Sequence, residues 1–92
     1  MPRYSLSNRA ALDLEDLMLS GVDRFGPFQT AHYIAGLQRT IELIAEFPKI
    51  GRIVSATRRR FIYKAHVIVY AKQGKMIIVE AIIHSRMLKL PI

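Results

Sequence analysis

Three consecutive arginines, Arg58, Arg59 and Arg60, with His66 after them and His84 and Arg86 farther on, are residue types that could act on a phosphodiester. A histidine would serve as general acid or base, and guanidinium groups would neutralise charge developing on the phosphorane. The same cations could instead bind without chemistry, to phosphates through counterion release or to carboxylates through charge-assisted hydrogen bonds. The surroundings favour binding. His84 closes an apolar strand pattern and His66 opens one, positions where a histidine usually serves the structure. No carboxylate pair, nucleophile motif or glycine-rich phosphate loop accompanies them. With no cysteine and three dispersed histidines, neither a metal centre nor a cofactor is expected.

The elements that must position these residues follow from periodicity. Residues 3–6 alternate as a short strand, and Ser7 stands where a helix N-cap belongs. Leu14, Leu17, Met18, Val22 and Phe25 then define one apolar helical face, interrupted by Gly21 at a cost of about 1 kcal/mol relative to alanine. Gly26-Pro27 ends that helix and starts a second, on which Phe28, Ile34, Leu37, Ile41, Ile44 and Ala45 recur until Phe47-Pro48. So short a join predicts an antiparallel helical hairpin. KIGRIVSAT reads as loop. RRRFIYKA, HVIVYAK and MIIVEAIIH, rich in β-branched and aromatic residues, read as three antiparallel strands with a hairpin turn at Lys72-Gln73-Gly74-Lys75. The fold class predicted is α+β, βααβββ, an antiparallel sheet packed on one face by an α-helical hairpin.

On such a strand Arg58 and Arg60 face one side and Arg59 the other, so the three cannot form one cluster on a flat sheet. The last two strands are apolar on both faces: Val67 and Val69 oppose Ile68 and Tyr70, and Ile77, Val79, Ala81 and Ile83 oppose Ile78 and Ile82. One helical hairpin covers one face, so either the sheet curls over its second face or a partner covers it. The candidates for meeting that partner are Arg58, Arg59, Arg60, Ile68, Tyr70, Ile78 and Ile82. Phe61, Tyr63 and Tyr70 lie inside strand patterns and read as core, which leaves few aromatics for stacking on nucleic acid bases.

Charge is divided unevenly. Of the net +7, residues 1–51 contribute −1 (five Lys/Arg against six Asp/Glu) and residues 52–92 contribute +8 (nine Lys/Arg against Glu80 alone). The C-terminal half therefore carries the surface for an acidic partner. A chain of 92 residues with 51% hydrophobic composition suits a single domain, residues 1–92, with one modest core. Nothing approaches the roughly 18 apolar residues of a membrane span, and the N-terminal stretch lacks a signal peptide's apolar centre, so a cytoplasmic protein without a membrane partner is expected.

The ordered motifs resemble the ParE-type toxins of the RelE/ParE superfamily. The likeness is carried by YSLSNRAALDLEDL, AHYIAGLQRTIELIAEFPKIG, RRRFIYKAHVIVY and IIVEAIIHSRM, spanning residues 3–87. It implies the βααβββ fold, a type II toxin–antitoxin pairing and a ParD-like antitoxin whose acidic C-terminal segment wraps helices and sheet in a hetero-oligomer. It also implies inhibition of DNA gyrase by binding, not by catalysis, and contact with operator DNA only through the antitoxin. Arg59 and Arg60 match the family's basic positions opening the second strand, and His66, Val67 and Tyr70 match the third. His84 matches the histidine that ends the fourth. The segment after it, Ser85, Arg86, Met87, Leu88 and Lys89, is where the resemblance places target binding, together with His84.

Two rival functions share this resemblance. A RelE-like ribosome-dependent mRNA endoribonuclease would use Arg60 and Arg86 on the phosphate and His84 as acid or base. Those RNases draw a catalytic tyrosine from the last strand or tail, and no tyrosine follows Tyr70 here. An inactive scaffold would act only in autoregulation with its antitoxin.

Overall fold

The computed structural model describes residues 3–87. Strand β1 (Tyr4–Leu6) leads into helix α1 (Asn8–Phe25), and α2 (Pro27–Glu46) follows after Gly26. A 3-10 turn at Pro48–Ile50 precedes β2 (Arg52–Ile53), β3 (Arg58–Tyr63), β4 (His66–Gln73) and β5 (Met76–His84), and a last 3-10 turn covers Ser85–Met87. The sheet order is β1-β5-β4-β3-β2. β2 to β5 are antiparallel neighbours, while β1 adds a parallel edge on β5, pairing Tyr4 with Ile77 and Leu6 with Val79. The sheet is thus mixed at that edge. β2 falls inside the stretch read as loop, because two residues leave no alternation to detect.

Both helices lie over one face. Leu37, Ile41 and Ile44 of α2 and Ala10 of α1 join Ile68, Tyr70, Ile77, Val79 and Ile82 in the core, with Leu14, Leu17, Phe61 and Tyr63 packed around them. The inward row of α1 is Ala10, which is buried, with Leu14, Leu17 and Gly21 partly buried, so the row keeps Leu14 and Leu17 of the predicted apolar stripe but turns away from its other members. Met18, Val22 and Phe25 remain 46%, 47% and 60% exposed. Helix crowding supplies the reason: a Cβ at Gly21 would stand 2.8 Å from Thr30 Oγ1 on α2, so only glycine allows the two helices this approach. That contact selects which face of α1 turns inward and answers for the helix propensity Gly21 forfeits.

A β-bulge between the β4 pairs of Val69 with Ala81 and Tyr70 with Val79 leaves Glu80 as an extra residue on β5. Strict alternation would place Ile78 and Ile82 on one face. The bulge separates them, sending Ile82 to the core beside Val79 and leaving Ile78, Ala81 and Ile83 on the second face. That second face is partly closed by the sheet itself, since Val67 and Ala81 are only 3% and 4% exposed while Ile62 is 54% exposed. A bulge strengthens local twist and bends the ribbon, letting neighbouring side chains shield one another.

Where β1 ends, side chains of the first helical segment take over the free edge of β5. Ser7 Oγ accepts from Ala10 N at 3.0 Å as N-cap and donates to Glu80 O at 2.9 Å. Asp13 Oδ2 accepts from the backbone N–H of Ile82 at 2.9 Å. Asp13→Ala should therefore cost about 1–2 kcal/mol by orphaning a part-buried donor, whereas Asp13→Asn, which keeps an acceptor, should cost less; urea midpoints of the two variants check this.

Candidate functional site

The arginine run divides across the sheet as alternation demands, and its members do different work. Arg59 pairs with Tyr70 across β3 and β4, on the helix side. Its Nη1 donates to Gly51 O at 2.8 Å and to Lys49 O at 3.3 Å. Tyr70, 1% exposed, donates its hydroxyl to Pro48 O at 2.6 Å and accepts from Gly51 N at 2.9 Å. Burial pushes the Tyr70 phenol up, opposed by the Gly51 N–H and by the Arg59 charge. A Cβ on Gly51 would enter the Tyr70 ring, 2.8 Å from its carbons. Arg59 and Tyr70 together fasten the Pro48–Gly51 turn to the sheet.

Arg58 and Arg60 face the other side. Arg58 Nε donates to Glu80 Oε1 at 2.5 Å, an ion pair whose side chains are 52% and 31% exposed. The bulge at Glu80 aims this carboxylate, the one acidic residue of the C-terminal half, at the arginine. Arg60 has no carboxylate partner among the described residues.

Between the fastened turn and the ends of β3 and β4 lies a cleft of about 870 Å³. Phe47, Ile50 and Ile53 supply apolar wall, and they are 51%, 40% and 66% exposed. Lys49, Arg58, Arg59 and Lys72 supply cations, with Glu46 the one carboxylate lining it. An apolar trough with a positive rim suits an extended or helical protein segment carrying both hydrophobic and acidic residues. Of the residues expected to meet such a segment, Ile68, Tyr70 and Ile82 are buried at 0%, 1% and 4%, so they belong to the core, and Arg59 is held by the turn. Arg58, Arg60 and Ile78 stay within reach of solvent. Phe47, Ile50 and Ile53 escaped sequence reasoning; their signal was a run of large apolar residues in a stretch that no periodicity assigned to the core.

At the opposite end of the sheet His66 and His84 are cross-strand partners, with ring centroids 5.1 Å apart. The Tyr33 hydroxyl of α2 stands 2.7 Å from His66 Nδ1, and Arg86 N donates to His84 Nδ1 at 3.1 Å. Arg60 extends from the other face of the sheet, three pairs along β4 from this site, so it does not converge with His84 and Arg86 as phosphate chemistry would require. Ser85, Arg86 and Met87 form the exposed last turn; Leu88 and Lys89 lie outside the described residues.

Burial, then the nearby His84, holds His66 below the ordinary imidazole value of 6.5. Since the folded state resists a proton that the unfolded chain accepts, the unfolded chain binds more protons as pH falls. Stability is full above about 6.5 and declines below it. The urea midpoint should drop between about pH 7.5 and pH 5.5, and His66→Gln should flatten part of that slope.

A helical hairpin over one face of a bulged, mostly antiparallel sheet, with a cationic cleft beside it, defines an α+β protein of the RelE/ParE type. The chain belongs to the ParE toxin family of type II toxin–antitoxin systems, whose family description, "ParE toxin of type II toxin-antitoxin system, parDE", matches residues 4–89. It is 37% identical to Toxin ParE1 of Caulobacter vibrioides over 90 residues, covering 95% of this chain and 93% of that one. It is 34% identical to Toxin ParE1 of Mycobacterium tuberculosis over 89 residues, covering 92% and 91%. Its fold is similar to that of a chain from the chromosomal ParDE toxin–antitoxin system of P. aeruginosa, with a TM-score of 0.78 at 17% identity, covering 91% and 96%. Among the described residues no helix is long and apolar enough to cross a membrane.

Proposed function

We propose that this chain, folding as one domain in the cytoplasm, inhibits DNA gyrase by binding it and is neutralised by a ParD-like antitoxin. The acidic C-terminal segment of the antitoxin lies in the cleft between the Pro48–Ile53 segment and the ends of β3 and β4, its carboxylates meeting Arg58, Lys49 and Lys72. It continues over the second sheet face toward Arg60, Ile62 and Ile78. The observation that carries the antitoxin site is the joining of exposed apolar wall and cationic rim in one cleft, on a chain of the ParE family. The target meets the other end, where His84, Ser85, Arg86 and Met87 are accessible and Met87 is 76% exposed. Leu88 and Lys89, outside the described residues, are proposed for the same contact. Toxin and antitoxin form a hetero-oligomer, and operator DNA is reached through the antitoxin alone.

The test is a supercoiling reaction with gyrase, ATP and relaxed plasmid, with and without antitoxin, stopped with detergent and protease. Lost supercoiling with accumulation of linear plasmid, reversed by antitoxin, is the expected result. Undisturbed supercoiling by folded protein would remove gyrase as target; ribosome-dependent mRNA cleavage, or no toxicity at all, would then identify one of the other two readings.

A further inference from the structure

A second cavity, of about 310 Å³, opens between α1, α2 and the His66–His84 end of the sheet. Its size is at the lower end for small-ligand sites. Leu17 and Phe25 give it apolar wall, Arg24 a guanidinium, and Tyr33, His66 and His84 its polar wall.

The hydrogen bonds decide what this polar wall offers. Arg86 N–H donates to His84 Nδ1, so the neutral ring carries its proton on Nε2. The Tyr33 hydroxyl is 2.7 Å from His66 Nδ1 and 3.4 Å from Tyr63 O; when it donates along the shorter contact, His66 likewise carries its proton on Nε2. Both Nδ1 lone pairs are already used, and the Nε2 atoms are donors. This tautomer disfavours a metal ion, which needs a free lone pair on each ring. It favours an acceptor.

The rest of the wall agrees. No aspartate or glutamate lines the cavity among the described residues, so no carboxylate within it competes for the two donors, and Ser20, Gln29 and Thr30 offer neutral acceptors alone. Thr30, also in the wall and 6% exposed, has a hydroxyl without a hydrogen-bond partner, an uncommon condition for a buried group. The titratable neighbours of this end are Arg24 on α1 and Tyr33 on α2 in the cavity wall, Arg86 next to His84, and Tyr63 and Lys64 against the Tyr33 ring, with Lys64 Nζ 5.9 Å from its centre. All are neutral or cationic.

We propose that this cavity is a binding site for a small monocarboxylate with an apolar body, its two oxygens accepting from Nε2–H of His66 and His84 while the body lies against Leu17 and Phe25. Two ring N–H donors on imidazoles with centroids 5.1 Å apart can each meet one oxygen of a carboxylate, and the apolar walls suit a ring or short chain better than a fully hydrated phosphate.

Benzoate titrated into the full chain, with the imidazole nitrogens followed by NMR, tests the site. Saturable shifts of His66 and His84 are expected. His84→Gln should weaken binding about tenfold, the usual scale for one hydrogen bond to a charged group. Arg24→Gln, at an exposed position whose loss leaves the core intact, should weaken it to a smaller degree and shift its salt dependence. Benzyl alcohol, which has the body without the charge, and inorganic phosphate, which has the charge without the body, should both bind more weakly. Imidazole signals unmoved by millimolar benzoate, or moved equally by either control, would overturn the proposal. Neither antitoxin nor gyrase enters the readout, so its failure leaves the toxin reading standing.

Discussion

Reversing the charge of Arg58 and Arg60 together, Arg58→Glu with Arg60→Glu, should weaken antitoxin binding about 100-fold while leaving the fold in place. The estimate takes roughly 3 kcal/mol for two close charge contacts turned repulsive, near the low end of the range measured for such pairs. The fold should persist because both side chains lie on the sheet face away from the helices, and the Arg58–Glu80 pair is exposed enough to add little stability. Arg59→Glu is the contrasting variant. Its guanidinium holds the carbonyls of Lys49 and Gly51, so its loss should lower the urea midpoint as well as the affinity. Calorimetric titration with antitoxin at two salt concentrations, alongside circular dichroism of each variant, separates the two effects. A double variant that binds as tightly as the parent chain would remove the cleft and second face from the antitoxin assignment.

The difference between Arg59 and its neighbours was half legible in the sequence. Alternation on a strand needs no structure, and it assigned Arg59 to the opposite side correctly. What Arg59 meets there was not legible, since the Pro48–Gly51 turn is brought to it by a contact from Tyr70, 19 residues beyond Gly51. The face assignment of Ile82 failed for a similar reason. One extra residue at Glu80 reverses the pleat for everything after it, and no local composition marks a bulge. Helix boundaries fared better, because Ser7, Pro27 and Pro48 act through their own backbone geometry. The rotation of α1 depended on Gly21 meeting Thr30, a contact between helices that the apolar count on α1 alone could not foresee. The cleft was hidden because its walls come from a turn, a two-residue strand and the ends of two longer strands, none of which carries the pattern by itself.

Tyr70→Phe should be strongly damaging although it deletes a single atom. It removes one oxygen and leaves Pro48 C=O and Gly51 N–H without their partner beside a ring that is 1% exposed. Each orphaned group costs about 1–3 kcal/mol, so a loss of about 2–4 kcal/mol is expected. Against the roughly 5–14 kcal/mol available to a domain of this length, that is a large share. Thermal unfolding should fall by on the order of 10–20 °C. Because Arg59 also donates to Gly51, the two residues act on one turn, and Arg59→Leu combined with Tyr70→Phe should destabilise by less than the sum of the single variants. The turn also carries Phe47, Ile50 and Ile53 to the cleft, so Tyr70→Phe should reduce antitoxin affinity even at temperatures where the protein stays folded. Strict additivity in the double variant would mean that the two residues anchor the turn independently. Unchanged affinity in a destabilised Tyr70→Phe protein would mean that the cleft does not need the turn's shape, and the antitoxin contact would then rest on the second sheet face alone.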